Sequence, residues 1–114
     1  MRKGFWVEEF PVGVTVCDRK GKGLEMNAKS RAIFAKDGGG MLVGKSMLDC
    51  HPARARAKMK RLLASGRTNV YTIEKKGKKK LIYQGPWFKA GRLGGLVELS
   101  IELPAKLPHK GVRS

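Results

Sequence analysis

From Arg67 onward the sequence holds three runs of strand character, Thr68–Glu74, Leu81–Phe88 and Leu96–Leu103. They are parted only by Lys75-Lys76-Gly77-Lys78 and by Ala90-Gly91-Arg92-Leu93-Gly94-Gly95. Connections this short join neighbouring strands as antiparallel hairpins, since a parallel crossover needs a dozen or more residues. In the last run Val97, Leu99, Ile101 and Leu103 alternate with Glu98, Ser100 and Glu102. That period of two predicts an apolar face turned to the core and a polar face turned to water.

The first half of the chain supplies what covers the sheet. Val12–Asp18 alternates Val with smaller residues, and Arg19-Lys20-Gly21-Lys22-Gly23 is turn chemistry before the short run Leu24-Glu25-Met26, so a hairpin is expected. Asn27 is placed to cap a helix over 28–36, which Asp37-Gly38-Gly39-Gly40 ends. Ser46–Cys50 makes one helical turn, and Pro52 suits the first turn of a longer helix running to Ala64. On that helix Ala55, Met59, Leu62 and Leu63 follow the spacing of a buried stripe, Arg54, Lys58 and Arg61 lie opposite, and Gly66 stops it. The order ββ, helical middle, βββ predicts an α+β fold: a five-stranded antiparallel sheet with the helices on one face. Residues 1–103 form one domain, and Pro104 and Pro108 mark residues 104–114 as a tail that does not extend the sheet.

A chain of 114 residues makes one core, and 41% hydrophobic against 30% charged residues reads as a globular domain rather than a disordered one. The 25 Lys and Arg against 9 Asp and Glu leave a net charge of +16, spread from Lys3 to Arg113, which favours anionic partners without specifying a fold. Cys17 and Cys50 are the only cysteines and form no CxxC pair, so neither a disulfide framework nor a metal site is expected. No apolar run approaches the ~20 residues of a membrane span, and Phe5-Trp6-Val7-Glu8-Glu9 breaks any signal-peptide pattern, which makes a cytoplasmic protein the expectation.

The residues Phe10-Pro11-Val12-Gly13-Val14, Asp18, Gly21, Asn27-Ala28, Phe34, Gly44-Lys45-Ser46 and His51-Pro52 fall in an order and spacing that resembles a PAS domain. Asp49-Cys50-His51-Pro52, Gly66–Lys75 and Val97-Glu98-Leu99-Ser100 resemble, more narrowly, a group of small free-standing bacterial PAS proteins. The resemblance implies a sheet in the order 2-1-5-4-3, helices across one face, a possible ligand cavity between them, frequent dimerisation, and sensing or partner binding in signal transduction rather than catalysis. Two features depart from the family. Ala53-Arg54 stand where many PAS domains carry an acidic residue after His-Pro, and nothing downstream resembles an effector domain.

Several constellations compete for a chemical role. Gly39–Ser46 fits G-x4-G-K-[ST], but it follows a helix rather than a buried strand and precedes one soon met by Pro52, so the phosphate-loop context is missing. Cys50 and His51 could bind metal or sense oxidation, yet neighbours in sequence diverge by about 100° on a helix, and a hydrogen-bonding junction role for His51 is the simpler reading. The resemblance implies no particular cofactor: the residues around a photoadduct Cys are absent, and the long helix offers Met59 where haem-binding relatives place a His. The candidate ligand pocket comprises Met47, Cys50, His51, Met59, Leu63, Tyr83 and Trp87, most of them equally suited to plain core. A second candidate surface, for nucleic acid, joins Lys75, Lys76, Lys78, Lys79 and Lys80 to Arg54, Lys58 and Arg61, with alternation expected to split the lysines between two faces. No nucleophile-base-orienter set or paired carboxylates emerge, so catalysis is not expected.

Overall fold

The computed structural model describes residues 4–113, and at Cys50 the main chain alone. The elements are β1 (Gly13–Asp18), β2 (Gly23–Met26), α1 (Ala28–Ile33), α2 (Ala53–Ser65), β3 (Asn69–Lys75), β4 (Lys78–Lys89) and β5 (Arg92–Glu102). The five strands form one antiparallel sheet in the order β2-β1-β5-β4-β3. This is the α+β architecture that the order of elements predicts. No helix among the described residues is long and apolar enough to cross a membrane.

Both long hairpins are tighter than their sequences suggest. β4 begins at Lys78 and β5 at Arg92, leaving Lys76-Gly77 and Ala90-Gly91 as two-residue turns with positive φ throughout (52° and 76°, 51° and 76°). These are primed turns, whose twist matches that of the flanking strands. The expected six-residue loop at 90–95 is therefore mostly strand, and Gly94 has a reason to be glycine. A Cβ there would overlap the Trp87 ring, which lies against the main chain and donates from Nε1 to the Cys17 carbonyl at 2.9 Å.

Asn27 does more than cap α1. Its Oδ1 accepts from Ser30 N (3.0 Å) and from Val14 N (2.9 Å), while Nδ2 donates to the carbonyls of Val7 (2.9 Å) and Val12 (2.7 Å). One buried side chain thus ties α1, β1 and the segment before β1 together. Arg31 strengthens the same junction, pairing with Glu8 and donating to the Met26 carbonyl at 2.7 Å. The α1 helix is shorter than the expected 28–36, because Phe34 leaves helical geometry and the chain tightens into 3₁₀ turns at Ala35–Asp37 and Gly39–Leu42, hinged at left-handed Gly38 (φ 113°).

The core contains Met26, Leu42, Met47, Met59, Leu62, Leu63 and Leu96 with Cys17, all on the helix-covered face. Each such side chain contributes roughly 1.5–3 kcal/mol by leaving water. The register overturns the expected burial of β5. Leu96, Glu98, Ser100 and Glu102 share the helix-covered side with Cys17, Thr15 and Gly13, whereas Val97, Leu99 and Ile101 pair with Val16, Val14 and Leu81 on the uncovered side, each only half-buried. Alternation alone specifies which residues share a face, not which face the helices choose. Here the apolar stripe forms the outer surface of the sheet.

Candidate functional site

Residues opposite one another in the ladder form rows across the sheet, and one row on the helix-covered face is unusual. It runs Met26, Thr15, Glu98, Gln84, Asn69 through all five strands. Asn69 Nδ2 donates to Gln84 Oε1 at 2.9 Å, and Gln84 Nε2 donates to Glu98 Oε1 at 2.8 Å. Thr15 turns instead to a short hydroxyl bond with fully buried Ser30 of α1. Among the described residues no basic group lies within ion-pair distance of Glu98.

Above this polar row α2 and the sheet diverge, leaving an open cleft of about 480 Å³. Its floor is Asn69, Gln84 and Tyr71, its wall His51, Ala55 and Met59, and its rim Arg54, Lys58 and Arg61. A smaller hollow continues inward past His51 and Met59 to Thr15, Cys17 and Glu98. Burial and the nearby Glu98 carboxylate push the Tyr71 hydroxyl above the ordinary phenol range. Burial pushes the Cys17 thiol up to about 11, with Asp18 and Glu98 adding to the rise against a hydrogen bond from the Leu96 main chain. A mostly apolar hollow with a few convergent polar groups is the usual form of a small-molecule site.

The structure sorts the pocket residues expected from sequence. His51 and Met59 line the cleft, and Met47 lines the inner hollow from the core. Leu63 is core and borders a separate surface hollow beside Leu48. Tyr83 and Trp87 do not line the cleft: they project from the outer face, Tyr83 opposite Leu99 and Trp87 over Gly94, since side chains one residue removed from Gln84 and Pro86 point the other way. The side chain of Cys50 lies outside the described residues. At the junction before α2, the His51 carbonyl accepts from Arg56 Nη1 at 2.8 Å. Asn69, Tyr71, Gln84 and Glu98 were not among the expected pocket residues, because nothing local marks which parity of each strand faces the helices.

The G-x4-G-K-S stretch offers no cradle for phosphate. The amides of Gly44 and Met47 donate to the carbonyls of Gly23 and Gly21, and that of Lys45 to Leu42, so the N–H groups a phosphate would use are spent inside the fold.

The basic residues fall into two groups. Arg54, Lys58 and Arg61 rim the cleft, while Lys75, Lys78 and Lys80 share the helix-covered face at the far end of the sheet, with Lys76 in the turn. Lys79 alone points outward, opposite Glu74. Alternation therefore splits Lys75, Lys78, Lys79 and Lys80 three to one.

The PAS fold profile matches residues 7–103. The chain belongs to the PAS fold family. No curated protein matches it in sequence. Among solved structures, the PAS domain of BvgS from Bordetella pertussis is 22% identical with a TM-score of 0.62, covering 88% of this chain and 82% of that one. A C-terminal domain from Streptococcus mutans gives 17% identity and a TM-score of 0.67 over 83% and 78% of the two chains. The Aer2 receptor of Vibrio cholerae, described as a dual PAS-heme oxygen sensor, gives 15% identity and a TM-score of 0.59 over 82% and 95%. At these identities the likeness is one of PAS fold.

Proposed function

We propose that this PAS domain is the sensory module of a bacterial signalling system, and that its input site is the cleft between α2 and the inner face of β3 and β4. The observation that carries this reading is Met59. It belongs at once to the core cluster with Leu62 and Leu63 and to the wall of the cleft, so a compound in the cleft presses on a side chain that seats α2 on the sheet. A ligand preferring one seating of α2 shifts the population toward it, and the sheet passes that bias to a protein partner.

The outer face offers a place for that output and for self-association. Val14, Val16, Leu81, Val97, Leu99 and Ile101 form a half-exposed apolar surface with Tyr83, which is 40% exposed, and we infer that a second copy packs there. Sedimentation velocity on the wild type and Leu99→Lys should show a dimer in the first and a monomer in the second; a wild-type monomer at high concentration refutes the pairing.

The ligand reading is tested by native mass spectrometry and absorption spectroscopy of freshly purified protein, with a thermal-shift screen of small amphipathic compounds. A compound at about a hundred times its Kd stabilises by roughly 2.7 kcal/mol. Met59→Trp, which fills the cleft, and Gln84→Leu, which breaks the polar row, should abolish the shift. If nothing is retained and no compound stabilises the wild type more than Met59→Trp, the cleft is not an input site.

A further inference from the structure

The cleft is the first of three hollows on the inner side of β3. The second, about 190 Å³, shares Tyr71 with the cleft and continues past Ile73 and Ile82; the third, about 410 Å³, shares Lys75 and Lys80 with the second and ends at Lys76, Lys78 and Lys36. They follow one another along the inner side of an edge strand, with Tyr71 between the first and the second. The row is cationic at both ends and has between them an aromatic ring, 42% exposed, and the Glu98 carboxylate, which accepts from Gln84.

The hairpin end holds more positive charge than the fold can use. Lys75 and Lys78 stand directly opposite each other with Lys80 on the same face, a like-charge arrangement that costs stability in a sheet. The acid in that hollow, Glu102, is engaged by Lys29 at 3.3 Å. The chain as a whole carries +16, so nothing elsewhere offsets the excess.

We propose that this row of hollows binds single-stranded nucleic acid. Lys75, Lys78 and Lys80 hold phosphates at one end, Arg54 and Lys58 hold them at the other, and Tyr71 stacks on a base between. Electropositive grooves with an interposed aromatic ring suit single strands, because every base has a stacking face and the backbone supplies regular charge. A single strand can present an unpaired base to the half-exposed Tyr71 ring, whereas a duplex keeps its bases stacked inside the helix. Seven residues of β3 span about 23 Å, at the short end of the roughly 4–16 nucleotides such grooves occupy. This inference goes beyond the sensory reading and stands without it.

The test is fluorescence anisotropy of a short labelled oligothymidylate with the full chain, titrated at salt concentrations from about 50 to 200 mM. The wild type should bind with an affinity that falls steeply with salt. Replacing Lys75, Lys78 and Lys80 together by Gln should make the logarithmic salt slope shallower by about 2, at about 0.7 per phosphate contact. Tyr71→Ala should weaken binding about tenfold while Tyr71→Phe retains it. Circular dichroism establishes that each variant is folded, and the Phe variant keeps the test open if the Ala variant is not. The proposal is overturned by no binding at low salt, by equal affinity for a duplex of the same length, or by indifference of a folded Tyr71→Ala protein.

Discussion

Removing the Asn27 side chain tests whether one buried amide organises the amino-terminal half of the domain. Asn27→Ala deletes four well-formed hydrogen bonds of 2.7–3.0 Å, to Val14 N, Ser30 N, Val7 O and Val12 O. A fifth contact, to the Phe10 carbonyl at 3.4 Å, is long and adds little. The lost helix cap costs about 1 kcal/mol and each remaining bond a similar amount net, reduced where the half-exposed Val7 and Val12 carbonyls recover water. The expected loss is about 3 kcal/mol, equivalent to a fall in Tm of about 15 °C for a domain of this size. Urea unfolding followed by circular dichroism should give a lower midpoint at unchanged slope. Asn27→Asp separates acceptor from donor: it keeps the bonds to Val14 N and Ser30 N but sets a carboxylate against two carbonyl oxygens. The neutral acid can donate to one of those carbonyls, which the carboxylate cannot. The variant's deficit against wild type should therefore shrink as pH falls from neutrality toward about 4. A loss below about 1 kcal/mol for Asn27→Ala would refute the hub and leave an ordinary helix cap.

Three further outcomes follow from particular contacts. Cys17 has its thiol pushed up to about 11 from 9.0, so peptide mapping after iodoacetamide treatment should find it unmodified at pH 8 in the native protein and modified once unfolded. The linked stability is complete below about pH 9 and is lost as pH rises through 9 to 11; rapid native alkylation at pH 8 would contradict this. Gly94→Ala drives a methyl group into the Trp87 ring and breaks its bond to the Cys17 carbonyl, for a loss of about 1–3 kcal/mol and altered tryptophan emission; unchanged chemical stability would mean the indole moves aside freely. Ala90→Asn, at φ 51° in the first turn position, should stabilise by about 0.5–1 kcal/mol in urea unfolding, since Asn tolerates the left-handed region that Ala resists, and a destabilised variant would argue against the primed turn.

Local chemistry made most of the elements readable. Asn27 announces a helix start because its side chain can reach the orphan amides of the first turn, and Gly66 announces a stop because it adopts the left-handed cap (φ 67°) and returns its N–H to the Leu62 carbonyl. The stripe Met59, Leu62, Leu63 is buried as its spacing predicts. The site was less legible. His51 and Met59 reach the cleft, but Tyr83 and Trp87 face the opposite side, and Gln84 and Glu98, flanked by apolar neighbours, resemble solvent-facing strand residues until the ladder sets them in one row.

The succession of strands and helices along the chain, the helix caps at Asn27 and Gly66 and the excess of positive charge were legible in the sequence, since each depends on residues within a few positions of one another or on composition alone. Tertiary structure decided which face of each strand the helices cover, and so which residues floor the cleft. A period of two is symmetric: Val97, Leu99 and Ile101 suit either side of a sheet, and only the packing of Met59, Leu62 and Leu63 against Leu96 and Cys17 breaks the tie. The polar row from Thr15 to Asn69 follows from that choice, because it is complete only when β1, far away in sequence, meets the β3-β4-β5 meander in one register.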